Sequence, residues 1–194
     1  DTCVHKITRN VENCRQCGGC CVGSMLALRE RQLKKRLAYS TVSQVSYVLF
    51  GLLLLTPEGV QGALMQLVFH AVAKDTLFLA AGAIIMSTSF SQVDQLRGIG
   101  RRMPRTAWCF TLASLSLIGI PPMSGFVSKW FLASAALEST VPWAGAAGVT
   151  ALIVSALLTA GYLLPIVIRA FFPGKDFDHE SVIKQQDTWL MWTT

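Results

Sequence analysis

Residues Val60–Met86 have the sequence VQGALMQLVFHAVAKDTLFLAAGAIIM, and this stretch decides the fold class. As one helix it is about 40 Å long, enough to cross the roughly 30 Å hydrocarbon core of a bilayer with some tilt. Gln66, His70 and Lys74 recur at a spacing of four and so lie on one helical face, whereas Asp75 is about 100° further round. A lysine ammonium at mid-membrane costs roughly 2.5–3.5 kcal/mol on insertion scales, so we expect Lys74 to face a protein-lined, hydrated interior.

Three further apolar stretches flank this one, at Leu37–Leu55, Trp108–Leu137 and Trp143–Phe172. The third span, Trp108–Leu137, would be about 45 Å long as a single straight helix, which is too long for the hydrocarbon core. Pro121 and Pro122 remove two amide donors within it, so we expect the helix to break there. The sequence therefore predicts an all-α, polytopic transmembrane helix bundle with about four spans, one of them broken at Pro121-Pro122.

A second lysine follows that break. Lys129 lies in the apolar second half of the broken span. Broken helices occur at membrane depth only where protein or a watery cavity satisfies the freed carbonyls, and ionisable residues at that depth mark ion or proton pathways. Removal from water disfavours a charged amine, which makes Lys74 and Lys129 candidate proton carriers.

Composition and charge exclude several classes of protein. The chain has 194 residues, of which 52% are hydrophobic and 14% charged, and its mean hydropathy is +0.47. A soluble domain of this size would have too little polar surface. The net charge of +6 comes from short basic clusters between apolar runs, without a basic face interleaved with aromatic residues, which argues against nucleic-acid binding.

The basic clusters predict the membrane topology. Lys and Arg are concentrated in Arg29–Arg36, in the Gln92–Arg105 loop, and at Arg169 and Lys175, whereas the turns at Thr56–Gly59 and Glu138–Pro142 have neither residue. By the positive-inside rule, both chain ends and the Gln92–Arg105 loop lie in the cytoplasm. We expect a multi-pass protein of a bacterial or archaeal inner membrane.

The two ends of the chain differ from its middle. We expect residues 1–22 to be a Cys-rich polar segment of doubtful origin, residues 23–172 a partial transmembrane domain, and residues 173–194 a polar tail leading to a truncated end. Cys14, Cys17 and Cys20 have the spacing of part of a ferredoxin-type iron–sulfur run, but its fourth cysteine and following proline are missing. They are weak metal candidates, and the prediction is that no metal is bound.

Three strings, in this order and spacing, resemble the antiporter-like membrane subunits of respiratory complex I, membrane-bound hydrogenases and Mrp-type cation/proton antiporters. They are Leu26–Gln44, His70–Leu79 and Gly119–Lys129. A fourth string, Val93–Pro104, is similar to the hydrogenase and Mrp branch more than to the core complex I subunits. The resemblance implies that this chain holds four of the five helices of the family's second inverted repeat.

The resemblance also implies roles for particular residues. By matching position, His70 and Lys74 resemble the histidine and lysine of the family's central proton path, and Lys129 resembles its terminal lysine. Gln66 stands where many members carry another histidine, and Asp75 is a departure that would pin Lys74 in its charged form. The remaining supporting candidates, expected to order water around Lys129, are Pro121, Pro122, Ser124 and Ser128. For the two serines the alternative is an ordinary interhelical hydrogen bond.

These observations lead to one functional prediction and two alternatives. We expect proton translocation by part of an ion-pumping subunit, with other membrane subunits as partners, Na⁺ or K⁺ as further candidate ions, and no cofactor of its own. Whether the parent complex counts as an enzyme, such as an NADH dehydrogenase or a hydrogenase, stays open. The alternatives are a membrane-anchored iron–sulfur protein and a non-conducting structural subunit whose lysines form packing ion pairs, for example between Lys74 and Asp75.

Overall fold

The computed structural model describes residues 15–88, 92–138 and 142–172. Within those ranges all regular structure is helical, apart from one isolated β-bridge between Gln32 and Gln92. The helices are α1 (Arg15–Arg29), α2 (Leu33–Leu53), α3 (Pro57–Thr88), α4 (Ile99–Arg102), α5 (Pro104–Ile118), α6 (Ser124–Leu137) and α7 (Pro142–Phe171), with a short 3₁₀ turn at Val93–Leu96. The prediction of an all-helical bundle is confirmed.

The predicted spans correspond to these helices with small shifts in their ends. The first, second and fourth become α2, α3 and α7, and the third is divided between α5 and α6. Two segments, α3 and residues Gly145–Phe171 of α7, are long and apolar enough to cross a membrane by length and composition. The first half of α2 carries hydroxyl and amide side chains, of which Ser40, Ser43 and Gln44 are buried, because these groups bond across the bundle.

Helix α1 was not predicted. It runs through residues 15–29 and so crosses the proposed boundary between residues 22 and 23. Ser24 on α1, Ser43 on α2 and Ser155 on α7 are fully buried, and their hydroxyl oxygens lie 2.9–3.1 Å from one another. Residues 1–14 and the tail from residue 173 lie outside the described residues, so the division of the chain into three segments stays a prediction.

The break in the third span lies between Ile118, the last residue of α5, and Ser124, the first of α6. Gly119 ends α5 in the left-handed region with φ of 87°, where a residue without a Cβ is favoured, and its amide donates to the Leu115 carbonyl. A Cβ on Gly125 would lie 1.9 Å from the Ser116 carbonyl oxygen, so glycine is needed where the two half-helices cross. At this crossing the first turns of α6 pack directly against the last turn of α5.

The basic clusters lie together at one end of the bundle. The amide of Val93 donates to the Arg31 carbonyl at 3.0 Å, and the amide of Gly98 donates to the Arg169 carbonyl at 3.1 Å. An Arg169 nitrogen also lies 2.7 Å from an Asp94 carboxylate oxygen. These contacts bring the α1–α2 turn, the loop before α4 and the end of α7 to the same side of the fold, as the topology prediction requires.

Candidate functional site

Lys74 is the most buried charged group on α3, with 5% of its surface exposed. Its Nζ donates to the Leu37 carbonyl of α2 at 2.6 Å and to the Ser40 hydroxyl one turn further along the same helix. The Phe78 ring centroid lies 5.9 Å from Nζ. Both hydrogen-bond acceptors are neutral, and the structure gives Lys74 no ion pair among the described residues.

Lys129 has a similar environment at the break. Its Nζ donates to the carbonyls of Leu117 and Ile118, at 2.9 and 2.7 Å. These carbonyls have no partner within α5 because the helix ends at Gly119. Lys129 therefore reaches back across the break, and its Nζ also lies 5.6 Å from the Tyr47 ring centroid.

His70 lies one turn before Lys74 on α3 and is 8% exposed. Neither ring nitrogen has a hydrogen-bond partner among the residues that the structure describes. The ring lies on the same face of α3 as Lys74, because the two residues are four positions apart in the helix. The structure thus places His70 and Lys74 one turn apart on α3, which packs against α6, the helix that carries Lys129.

A row of side-chain hydrogen bonds lies beside this group and joins three helices. Ser128 on α6 donates to the Gln66 Oε1 atom at 2.5 Å. Gln66 on α3 in turn donates through Nε2 to the Gln44 Oε1 atom on α2 at 2.8 Å. Gln66 and Ser128 thus hydrogen-bond to each other rather than to a lysine nitrogen, and their supporting role stays a prediction.

The other supporting candidates form no hydrogen bond with either lysine nitrogen. Asp75 is exposed on the outer side of α3 and forms no ion pair with Lys74. Pro121 and Pro122 are exposed in the turn between α5 and α6. The hydroxyl of Ser124 lies 3.0 Å from that of Ser116. The carbonyls that hold Lys129 belong to the end of α5, not to the two prolines.

Ser40, Gln44 and Tyr47 belong to the site but were not among the predicted residues. All three are buried, and their partners lie more than twenty residues away in sequence. The available signal was the polar first half of the first span, which predicts helix-facing hydroxyls and amides without identifying their partners.

The cysteine candidates cannot be compared with a site geometry. Cys14 and the side chains of Cys17 and Cys20 lie outside the described residues. Within the part of the chain that the structure describes, Cys21 and Cys109 are free thiols, and no group of three potential ligands could hold a metal ion.

The fold and the site together define a helical membrane protein that keeps ionisable side chains inside its bundle. Residues 17–159 match the family model described as the transmembrane region of NADH:quinone oxidoreductase and Mrp antiporter subunits. The chain belongs to this family of antiporter-like membrane subunits, and the predicted resemblance is confirmed.

The chain is similar to named members of the family. It is 40% identical over 156 residues to the NADH-quinone oxidoreductase subunit N of Desulforudis audaxviator. The matched region covers 80% of this chain and 30% of that protein. It is 32% identical over 160 residues to the F(420)H(2) dehydrogenase subunit N of Methanosarcina mazei, covering 78% of this chain and 32% of the relative. The chain therefore spans about a third of the length of these relatives.

Solved structures support the same assignment. A chain of the Mrp complex from Dietzia superposes with a TM-score of 0.72 at 34% identity, covering 82% of this chain and 29% of that one. A chain of an archaeal membrane-bound sulfane sulfur reductase superposes with a TM-score of 0.75 at 31% identity, covering 91% and 28%. Because the relatives include oxidoreductase subunits as well as an Mrp complex, placement of this chain in the hydrogenase and Mrp branch stays a prediction.

Proposed function

We propose that this chain forms part of a subunit that carries protons across a membrane, with Lys74, His70 and Lys129 as the groups that exchange them. Three findings support the proposal: membership of the antiporter-like family, the buried position of Lys74 and half-buried position of Lys129 in a helical bundle, and the buried imidazole of His70 one turn from Lys74.

The observation that carries the proposal is that each lysine nitrogen is held by two neutral oxygen atoms. An ammonium has three N–H donors, whereas a neutral amine has two and a lone pair. Each amine can therefore release one proton and still donate to both acceptors. In a buried ion pair, the same loss would strand an uncompensated carboxylate, which is strongly unfavourable.

His70 would connect the two amines. An imidazole titrates closer to neutral pH than any other side chain and exchanges protons at either nitrogen. Because both of its nitrogens lack a protein partner among the described residues, they are available to water molecules that would bridge to Lys74 on one side and toward Lys129 on the other. Gln66 forms hydrogen bonds with Gln44 and Ser128. Through these bonds it would hold α2, α3 and α6 together around this path.

The subunit would work inside a larger assembly. The relatives are subunits of NADH-quinone oxidoreductase, F(420)H(2) dehydrogenase and Mrp complexes, so other membrane subunits are the expected partners, with Na⁺ or K⁺ as candidate coupled ions. We place the protein in a bacterial or archaeal inner membrane with its basic end in the cytoplasm, following the clustering of Lys and Arg.

The test replaces Lys74 or Lys129 by methionine, which keeps the length of the side chain and removes its exchangeable protons. Proton uptake is measured in vesicles that contain the whole complex, with assembly checked on native gels. We expect uptake to fall roughly 100-fold, the lower end of what a positioned proton donor contributes.

Lys35→Met is the matched control, because Lys35 is exposed in the first turn of α2. It should leave uptake unchanged. Normal uptake by assembled Lys74→Met and Lys129→Met complexes would instead assign both lysines to a structural role and overturn the proposal.

A further inference from the structure

Asp75 is a carboxylate on the outside of the bundle at membrane depth. It lies near the midpoint of α3, the 32-residue helix that crosses the fold. Its side chain is exposed and forms no hydrogen bond or ion pair with any other residue that the structure describes. Charged side chains in membrane helices almost always face a bundle interior or a watery cavity and pair with another group. As the bundle stands, Asp75 has neither.

The surroundings of Asp75 on α3 are apolar. Val72 and Val68, one and two turns before it, are 64% and 58% exposed, and Leu79, one turn after it, is 42% exposed. Water could reach the Asp75 carboxylate at this depth only along a surface of aliphatic side chains. Exposure to lipid is therefore unfavourable for the carboxylate, and hydration from either membrane surface is hindered.

The residues on this face of α3 repeat with the spacing of a surface that packs against another helix. Gln61, Val68, Asp75 and Gly82 recur every seven residues, the spacing that keeps a stripe of side chains facing one partner helix. A Cβ at Gly82 would meet no atom within 4 Å, so the structure leaves open space there. Small residues such as Ala71 and Gly82 allow a second membrane helix to approach closely.

We propose that this face of α3, defined by Val68, Val72, Asp75, Leu79 and Gly82, docks a further membrane helix that presents a Lys, Arg or His side chain to Asp75. Charge complementarity selects a basic partner, because a cation is what satisfies an isolated carboxylate at this depth. The matched region is about a third of the length of the relatives, so those proteins contain further chain that could supply such a helix. The ion pair would lie one residue from Lys74 but on another side of α3, and it does not depend on Lys74 carrying protons.

The first experiment places the photoreactive residue p-benzoylphenylalanine at position 72, on the same face as Asp75, in the intact complex in its native membrane. After irradiation, the cross-linked peptide is sequenced by mass spectrometry. We expect one apolar segment of about 20 residues with a Lys, Arg or His near its middle. The same residue at position 157, exposed on the outer side of α7, should give a different product.

Three results would overturn the proposal: cross-linking to lipid alone, to a helix without a basic residue, or to a second copy of this chain. Lys74→Met, which tests the proton path, should leave the cross-link at position 72 unchanged. Failure of the proposed function and failure of this docking surface are therefore distinguishable.

The second experiment removes the charge. Asp75→Leu would stabilise a lipid-facing helix, but it would leave a buried cation without a partner if the proposed ion pair exists. We expect the yield of assembled complex to fall about thirtyfold or more and to recover when the basic residue found by cross-linking is also made apolar. Gln61→Leu, near the end of the same face, is the control and should assemble normally. Unchanged or increased assembly of Asp75→Leu would contradict the ion pair.

Discussion

Lys74 and Lys129 obtain their acceptors from parts of the chain that no local pattern identifies. Lys74 bonds to Leu37 and Ser40, more than thirty residues earlier, and Lys129 bonds to the last carbonyls of the preceding half-helix. The sequence predicts which residues are ionisable and at what depth, because hydropathy and helical spacing are local properties. It does not predict their partners, because those depend on how α2, α3 and α5 pack.

Asp75 also shows that the sequence predicts where a side chain lies on its helix but not which group it contacts. Its position about 100° from Lys74 follows from helical geometry, and the structure accordingly places it on the outer surface. The prediction that it would pin Lys74 in its charged form assumed that adjacency in sequence brings the two charges together. A helix separates neighbouring side chains by that same angle, and the structure accordingly shows no ion pair between Asp75 and Lys74.

Ser40→Ala tests the acceptor geometry at Lys74. The substitution removes one of two oxygen atoms that hold Nζ, and a hydrogen bond to a charged group contributes about 1.5–3 kcal/mol. We expect proton uptake by the assembled complex to fall about tenfold, since roughly 1.4 kcal/mol corresponds to a factor of ten. The measurement is uptake in vesicles, normalised to the amount of complex.

Ser43→Ala provides the comparison on the same helix. Ser43 is as fully buried as Ser40, but its hydroxyl contacts Ser24 and Ser155 rather than a lysine. It should lower stability slightly and leave uptake intact. An equal loss in both variants would show that any missing hydroxyl in α2 slows transport, and the acceptor argument would then be wrong.

The helices themselves were largely predictable, with one exception. Pro121, Pro122 and the flanking glycines predict the break in the third span, and α5 and α6 end and begin beside them. Helix α1 was missed because Arg15–Arg29 contains three glycines and little apolar periodicity, a pattern with low intrinsic helix propensity. Its stability must come from packing, as the buried contacts of Ser24 indicate.

Gly125→Ala tests the crossing of α5 and α6. A methyl group at this position would overlap the Ser116 carbonyl oxygen, so the two half-helices would have to separate. We expect a loss of about 3 kcal/mol or more, at the upper end for overpacking, and a Tm lowered by about 6 °C or more. Thermal unfolding of the purified complex, followed by tryptophan fluorescence, measures the change.

Gly161→Ala is the matched glycine on α7. A Cβ there would make only an ordinary contact, 3.8 Å from the Leu28 Cδ2 atom, and alanine is favoured over glycine within a helix. The Tm should stay the same or rise. A Gly125→Ala complex as stable as the parent would mean that the crossing adjusts without cost.

The whole molecule has one basic end. The predicted charge pattern needed the Arg29–Arg36 cluster, the Gln92–Arg105 loop and Arg169 to lie on the same side of the membrane, and the fold brings them into contact through hydrogen bonds and the Arg169–Asp94 pair. Charge clusters are predictable from sequence because they are contiguous. Which side of the membrane they occupy depends on insertion in the cell and needs a separate measurement.

Cysteine labelling measures that orientation. Arg97 at the basic end and Glu58 at the start of α3 are exposed at opposite ends of the fold. Each is replaced by cysteine in a protein whose six native cysteines have been changed to alanine, and a membrane-impermeant maleimide is added to vesicles of either orientation. Because positive loops are retained in the cytoplasm, Arg97→Cys should react in inverted vesicles and Glu58→Cys in right-side-out vesicles. Leu132→Cys, at a fully buried position, should react in neither.

The reverse labelling would invert the proposed topology, and labelling of both exposed positions from one side would mean that α3 does not cross the membrane.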